Sequence, residues 1–447
     1  MDSVADPLRP AVAELMPETT ADLEGLVRIP SVSAPGFDPA EVRRSAEATA
    51  EILERAGLRE VRFLEIEGAH PAVLGTTPAP HGAPTVLLYA HHDVQPPGGP
   101  GLWESPPFEP TERDGRLFGR GTSDDKCGIV LHSTAVRALA RELPVGVTVF
   151  VEGEEEIGSP TLRGFLERYR DLLRSEVIVL ADSGNWRVGQ PALTTSLRGL
   201  VDCIVEVRTL EHGVHSGQYG GPFADALTVL SRLLATLHDE RGKVAIRGLV
   251  SSDADPLDLT EEELRKDAGS IQGLQLIGEG GLTSRMWTRP AVSVLAIDAT
   301  PVGEASNTLV PSARAKVSLR IAHGDDPDRA MDALVEHLET HVPWGAQVNV
   351  TRGASAHPFA VKAEGSVYEA ARKAFHEAWE RAPVEIGMGG SIPFVSSFAE
   401  AYPEASILLT GVGDPDSRAH GANESVDLGE LERGCLAEAM LLRNLAP

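Results

Sequence analysis

Four short segments of the chain are continuously apolar instead of alternating: TVLLYA at 85–90, VTVFV at 147–151, VIVLA at 177–181 and SILLT at 406–410. A strand with one wet face alternates, so an unbroken run marks a strand covered on both faces, as parallel strands between helices are. Apolar residues at helical intervals over 41–58 predict an amphipathic helix that Gly57 stops, and helices are expected at 128–141 and 162–173 between the middle strands. The resulting β-α-β order predicts an α/β fold with a mostly parallel sheet and helices on both faces.

The pattern changes over 196–355. Strands are expected at 201–207, 292–298, 313–321 and 347–351, with helices at 222–238, led by Pro222, and at 326–340. That βαββαβ order is ferredoxin-like, so the chain is expected to build one domain from 1–195 and 356–447, interrupted by an inserted domain at 196–355. Inside the insertion, 239–290 is a long acidic connection with one short helix, capped by Thr260 with Glu263 three residues on.

Composition narrows the partners. The 447 residues are 42% hydrophobic and 24% charged, a globular balance, and 66 acids against 40 bases leave a net charge of −26. Such an excess argues against nucleic acid or an anionic membrane as a partner. Three scattered cysteines, Cys127, Cys203 and Cys435, make no disulfide framework and no Cys-x-x-Cys pair. With no signal-like start and no apolar run near the roughly 20 residues that span a bilayer, a soluble cytoplasmic protein is expected.

Open parallel sheets carry their chemistry at the carboxyl ends of the strands. Those ends are stocked here: 85–90 leads into His91, His92 and Asp93; 147–151 into Glu152, Glu154, Glu155 and Glu156; 177–181 into Asp182; 406–410 into a glycine-rich turn and then His420. Asp124 and Asp125 follow the segment GRGTS. Taken singly, a histidine after a strand is structural, a glutamate run is a solvated loop and an aspartate is a helix cap. Imidazoles and carboxylates converging on one sheet edge would repel and be poorly solvated without a cation among them, which predicts a two-metal centre.

These residues resemble the dinuclear-zinc peptidase and deacylase family that includes carboxypeptidase G, aminoacylase and carnosinase-type dipeptidases. His91-x-Asp93-Val94-Gln95-Pro96, the segment from Phe118 to Lys126, Glu155-Glu156-Ile157-Gly158-Ser159 and His420-x-x-Asn423-Glu424 carry the resemblance in order, and WESPPFEP at 103–110 is most similar to the dipeptidase branch. The resemblance implies that His91 and Asp182 ligate one metal, Glu156 and His420 the other, and that Asp124 bridges them across a cis peptide to Asp125. Zn2+ is implied, with Mn2+ or Co2+ served by the same donors. Asp93 would hold the other nitrogen of His91, and Glu155 would be the general base for a water between the metals.

The resemblance also makes the insertion a lid and dimerisation domain. His215 in GVHSG would reach the active site of a partner subunit, Arg320 in KVSLR would clamp a substrate carboxylate, Asn307 in SNTLVP would contact substrate, and Gly389, Gly390 and Ser391 in GMGGSIP would hold the carboxylate with backbone amides. A phosphate nest is the rival reading of that glycine loop, but no Gly-Lys-Ser/Thr follows. His212, His357, His70 and His92 read as ordinary histidines. Cys127 departs from the glycine that relatives carry after the motif lysine. The expected activity is a metal-dependent dipeptidase acting on small peptides as a homodimer; the alternatives are an N-acyl-amino-acid deacylase and a non-catalytic metal-binding scaffold, which would need no base at Glu155.

Overall fold

The two outer strand ends of the sequence pattern, His91 and Glu152, are hydrogen-bonding neighbours in one sheet: Thr85–His91 and Gly146–Glu152 run parallel with those residues paired. The computed structural model describes residues 6–139, 143–390 and 392–447. It divides into one unit of Met1–Thr195, Val361–Ile386 and Pro393–Pro447, and a second of Ser196–Ala360 and Gly387–Ile392.

In the first unit the strands run in the order Glu60–Leu64, Ala72–Thr77, Gly146–Glu152, Thr85–His91, Val177–Leu180, Ser406–Leu409, Ala192–Leu197. The four middle strands are mutually parallel, and their neighbours on either side pair antiparallel. Both faces are covered, which is why these runs do not alternate. Val86, Leu88 and Ala90 face a core shared with Ile129, Val130, Leu436 and Met440 of the helices Lys126–Ala138 and Leu428–Asn444. Tyr89 points the other way, its ring 4.2 Å from Phe394 and 5.6 Å from Phe398.

The helix expected at 41–58 is Pro39–Arg55, with Asp38 accepting the Ala40 N–H at its start and proline in the first turn, where no helical N–H bond is lost. That at 128–141 begins at Lys126, and its end falls at 140–142, outside the described residues. The helix at 162–173 is two, Leu162–Arg168 and Arg170–Leu173. A helix at Leu8–Val27 was hidden from the sequence by Pro10 and Pro17; Pro10 falls in its first turn, and burial of Val12, Leu23, Leu26 and Val27 offsets the bond lost at Pro17.

The second unit is a four-stranded antiparallel sheet in the order Ala291–Asp298, Ser312–Ile321, Gly199–Arg208, Gln347–Ala356. Val201, Cys203, Val205 and Val207 alternate onto one face and pack with Val229, Leu230 and Leu233 of Ala226–Ala235 and with Ala330, Leu334 and Leu338 of Pro327–His341. Asp225, and not Pro222, caps the first of these helices, accepting the Thr228 N–H at 2.9 Å. The capping box of Thr260 and Glu263 is present on Glu261–Asp267. Two boundaries differ from the sequence reading. The unit continues to Ala360 instead of 355, because the strand Gln347–Ala356 is longer than 347–351. It also takes Gly387–Ile392, since the Arg198 N–H donates to Met388 O at 3.2 Å and a Cβ at Gly387 would lie 2.7 Å from Trp287. No helix among the described residues is long and apolar enough to cross a membrane.

Candidate metal centre

Strand ends deliver the ligands. His91 closes its strand, Asp182 lies just past Val177–Leu180, and the 3-10 turn Glu155–Ile157 follows Gly146–Glu152. His91 Nδ1 faces the Asp93 carbonyl at 3.1 Å and Asp93 Oδ1 at 3.4 Å. Two acceptors on that side keep the proton on Nδ1 and turn the Nε2 lone pair toward Asp124 Oδ1, 3.1 Å away. Asp124 Oδ2 lies 3.0 Å from His420 Nε2, which is also 3.2 Å from Glu156 Oε2. Ligand atoms of His91, Asp124 and Asp182 fall within 4.8 Å of one another, and so do those of Asp124, Glu156 and His420. Asp124 belongs to both groups, and its peptide bond to Asp125 is cis.

The cluster lacks positive charge. Burial, reinforced by Asp124, holds the Asp182 carboxyl well above the usual carboxylate range, and burial beside Asp182, Asp124 and Glu156 does the same for Glu155 against the pull of His91. The hydrogen bonds of Asp124 and then Glu156 raise His420 to about 10. A site that draws a proton this strongly onto imidazole between carboxylates suits a cation, and a set of two imidazoles and three carboxylates is the oxygen and nitrogen chemistry of Zn2+, Mn2+ or Co2+.

Three supporting residues orient the ligands. Buried Asp93 accepts from Ser33 Oγ at 2.6 Å and from the N–H groups of Glu155 and Glu156 at 3.2 and 3.1 Å, so one carboxylate sets both His91 and the glutamate turn. Gln95 was quoted in a motif but given no role; its backbone N–H donates to Glu156 Oε1 at 3.0 Å and its Nε2 to Oε2 at 2.8 Å. Glu424 was also missed. Its wholly buried carboxylate accepts the N–H groups of Gly121, Ser123 and Asp124 at 3.0–3.1 Å and pairs with buried Arg120. Arg120 in turn donates to the His420 carbonyl at 3.2 Å, linking the loops of Asp124 and His420. Only the acidic residue at the end of the His420 turn hinted at this.

Other residues near the motifs are structural. His92 is buried with Nε2 2.9 Å from Pro71 O, and burial pushes it down to about 4. Lys126 is buried and donates to Leu26 O and Ile29 O at 2.8 Å each. Cys127 is buried, its thiol pushed up by burial and then by Asp125, which is the opposite of a reactive thiolate. Gly128 is required because a Cβ would meet Asp125 Oδ1 at 2.6 Å.

In the second unit His215 is exposed at the end of the two-residue strand Val214–His215, paired with Thr308, and exposed Asn307 accepts the Ser216 N–H at 2.9 Å. Arg320 is half-buried in Ser312–Ile321, Gly389 and Gly390 lie in the glycine loop, and Ser391 is outside the described residues. His212 and His357 are exposed.

Residues 87–444 match the family described as Peptidase family M20/M25/M40. The chain belongs to this family. The M20 chain is 35% identical over 399 residues, 87% of each protein, to a cysteinylglycine-S-conjugate dipeptidase of Corynebacterium striatum. It is 28% identical over 467 residues to a Cys-Gly metallodipeptidase of Candida albicans, covering 96% of this chain and 95% of that one. Among solved structures, human carnosine dipeptidase 1 superimposes with a TM-score of 0.80 at 25% identity over 98% of the M20 chain and 99% of its own. The di-peptidase Dug1p of Saccharomyces cerevisiae shares the fold, with a TM-score of 0.83 at 22% identity over 98% of both chains. Divalent metal ions accompany this family, and the two ligand groups are where this M20 chain can hold them.

Proposed function

We propose that the protein is a dinuclear metal-dependent dipeptidase that hydrolyses the amide bond of small peptides with a free C-terminal carboxylate. The observation that carries this reading is Asp124 within reach of both His91 and His420, with Glu155 in the same short turn as Glu156. His91 and Asp182 hold one ion, Glu156 and His420 the second, and Asp124 both, with Zn2+ as the proposed native metal. Two divalent cations there supply Lewis acidity that makes water in the site more acidic and draws electron density from the scissile carbonyl.

The chain's own groups do the rest. Glu155 takes the proton of the attacking water and returns it to the leaving nitrogen, which needs one carboxylate free of ligation, and Glu155 falls in neither ligand group. Asp93 fixes the base and two ligands together, because it holds the His91 ring and the N–H groups of Glu155 and Glu156. Arg320, Asn307, Gly389, Gly390 and Ser391 bind the substrate, a guanidinium being shaped for a carboxylate. A purely metal-binding scaffold leaves Glu155 without a purpose.

The proposed assembly is a homodimer through the second unit, in which His215 serves the oxyanion at the partner's centre. The strand Ala291–Asp298 is a sheet edge with Val294, Leu295 and Ile297 exposed by 40, 60 and 47%, an unpaired apolar edge of the kind that a second copy covers. Three free, buried cysteines fit a reducing, cytoplasmic setting. The test is a hydrolysis panel of dipeptides beside N-acyl amino acids after loading with Zn2+, Mn2+ or Co2+. Turnover of dipeptides is expected; cleavage of the acyl amino acids alone would make the protein a deacylase, and no turnover with any metal would favour the scaffold.

A further inference from the structure

Arg198, immediately before the strand Gly199–Arg208, is only 5% exposed, an unusual place for a guanidinium. Antiparallel pairing sets Arg320 opposite Leu200 and Ile321 opposite Gly199. Residues two apart on a strand share a face, so Arg198, Leu200 and Arg320 lie on the side of the sheet away from Val201 and Cys203. Arg198 and Arg320 are then diagonal neighbours, a relation that separates side-chain roots by about 7–8 Å, within reach of two arginines meeting at one ligand. Burial, and then the charge of Arg320, depresses Arg198 to about 10.

The Arg198 side chain is incompletely satisfied. Nη2 donates to the Arg285 carbonyl, and the buried Nε has no hydrogen-bond partner. Nη1 faces the glycine loop, 3.9 Å from where a Cβ of Gly389 would lie, and beside Gly390 there is open space. Two partly desolvated like charges repel unless an anion sits with them, and a carboxylate has lone pairs enough for forks from both sides.

We propose that Arg198 is a specificity-determining residue that, together with Arg320, holds the free carboxylate of the substrate's C-terminal residue. The inference rests on the dipeptidase reading for its substrate, but its anion chemistry is testable apart from that reading.

The experiment compares metal-loaded wild type, Arg198→Gln and Arg198→Lys in two assays. The first is turnover of glycylglycine against glycylglycinamide, and the second is calorimetric binding of N-acetylglycine against N-acetylglycinamide. The acid-over-amide preference should fall about 10- to 100-fold in Arg198→Gln, the loss of a charge-assisted hydrogen bond, with a smaller fall in Arg198→Lys, which keeps the charge without the fork. Equal loss for acid and amide would mean that Arg198 only secures the Arg285 carbonyl, and would overturn the proposal. If wild type cleaves neither peptide, the dipeptidase reading fails while calorimetry still decides the anion site: acid preference lost on substitution sustains it, and no acid preference in wild type ends it. Should Arg198→Gln not fold, Arg198→Lys carries both assays, an unchanged preference there being the overturning result.

Discussion

Glu424 and Asp124 are 300 residues apart in sequence, yet the Glu424 carboxylate accepts the Asp124 backbone N–H at 3.1 Å. The residue that joins the two ligand groups is thus held by an acid that ligates nothing. Burial raises Glu424 to about 7 against the pull of Arg120, so its ionised form depends on that arginine and on three backbone donors. Glu424→Gln keeps the volume and removes the charge. Metal affinity should fall about 10- to 100-fold, as it does when a partner of a ligand is lost. The uncompensated Arg120 should also destabilise the first unit by about 3–5 kcal/mol. Elemental analysis after dialysis and a melting curve check both effects; unchanged metal content would remove Glu424 from the support of the centre.

Glu155 and Asp124 should separate chemistry from binding. Glu155→Gln is expected to retain two equivalents of metal while kcat drops roughly 10²-fold or more, by analogy with other general bases. Asp124→Ala should retain neither equivalent. A Glu155 variant near full activity, or an Asp124 variant still holding two ions, would contradict the assigned roles.

His132 offers a pH test away from the metal ligands. Its Nδ1 is 2.9 Å from Glu438 and its Nε2 is 3.0 Å from Tyr89 O, so both ring nitrogens face acceptors and the imidazolium is favoured. Burial opposes the charge, but Glu438 outweighs it and the pKa is raised above 6.5. A pKa raised in the folded state gives stability that is full below about 6.5 and lost as pH rises through the folded value. Urea unfolding of chelator-treated protein should therefore show wild type exceeding Glu438→Gln most at acidic pH, with the gap narrowing as pH rises. A gap independent of pH would mean that His132 is neutral in the fold.

If His215 serves the partner's centre, His215→Ala and Glu155→Ala subunits should each be inactive alone and recover activity when mixed. A hybrid dimer has one centre with both groups intact. No recovery after exchange has been verified by mass would place His215 in its own subunit's site or outside catalysis.

Much of this arrangement was legible in the chain. Unbroken apolar runs ending in His91, Glu152 and Asp182 identify buried strands and the edge where they stop, because burial on both faces suppresses alternation. The βαββαβ order of the second unit was visible for the converse reason, its strand Gly199–Arg208 having one face on helices and alternating accordingly. The helix Leu8–Val27 was not visible, since its prolines speak locally against a helix whose stability comes from packing.

Partnership was decided only by the tertiary structure. Nothing local in Gln95 announces a grip on Glu156, nothing in Glu424 a hold on Asp124, and nothing in Arg198 a place beside Arg320. The glycine loop Gly387–Ile392 follows a strand of the first unit in sequence but packs in the second. Sequence by itself determined which residues carry ligand chemistry and which strand ends present them, because periodicity and side-chain type are local properties. Which of them share a proton, a cation or a carboxylate depends on distances across hundreds of residues, and only folding sets those.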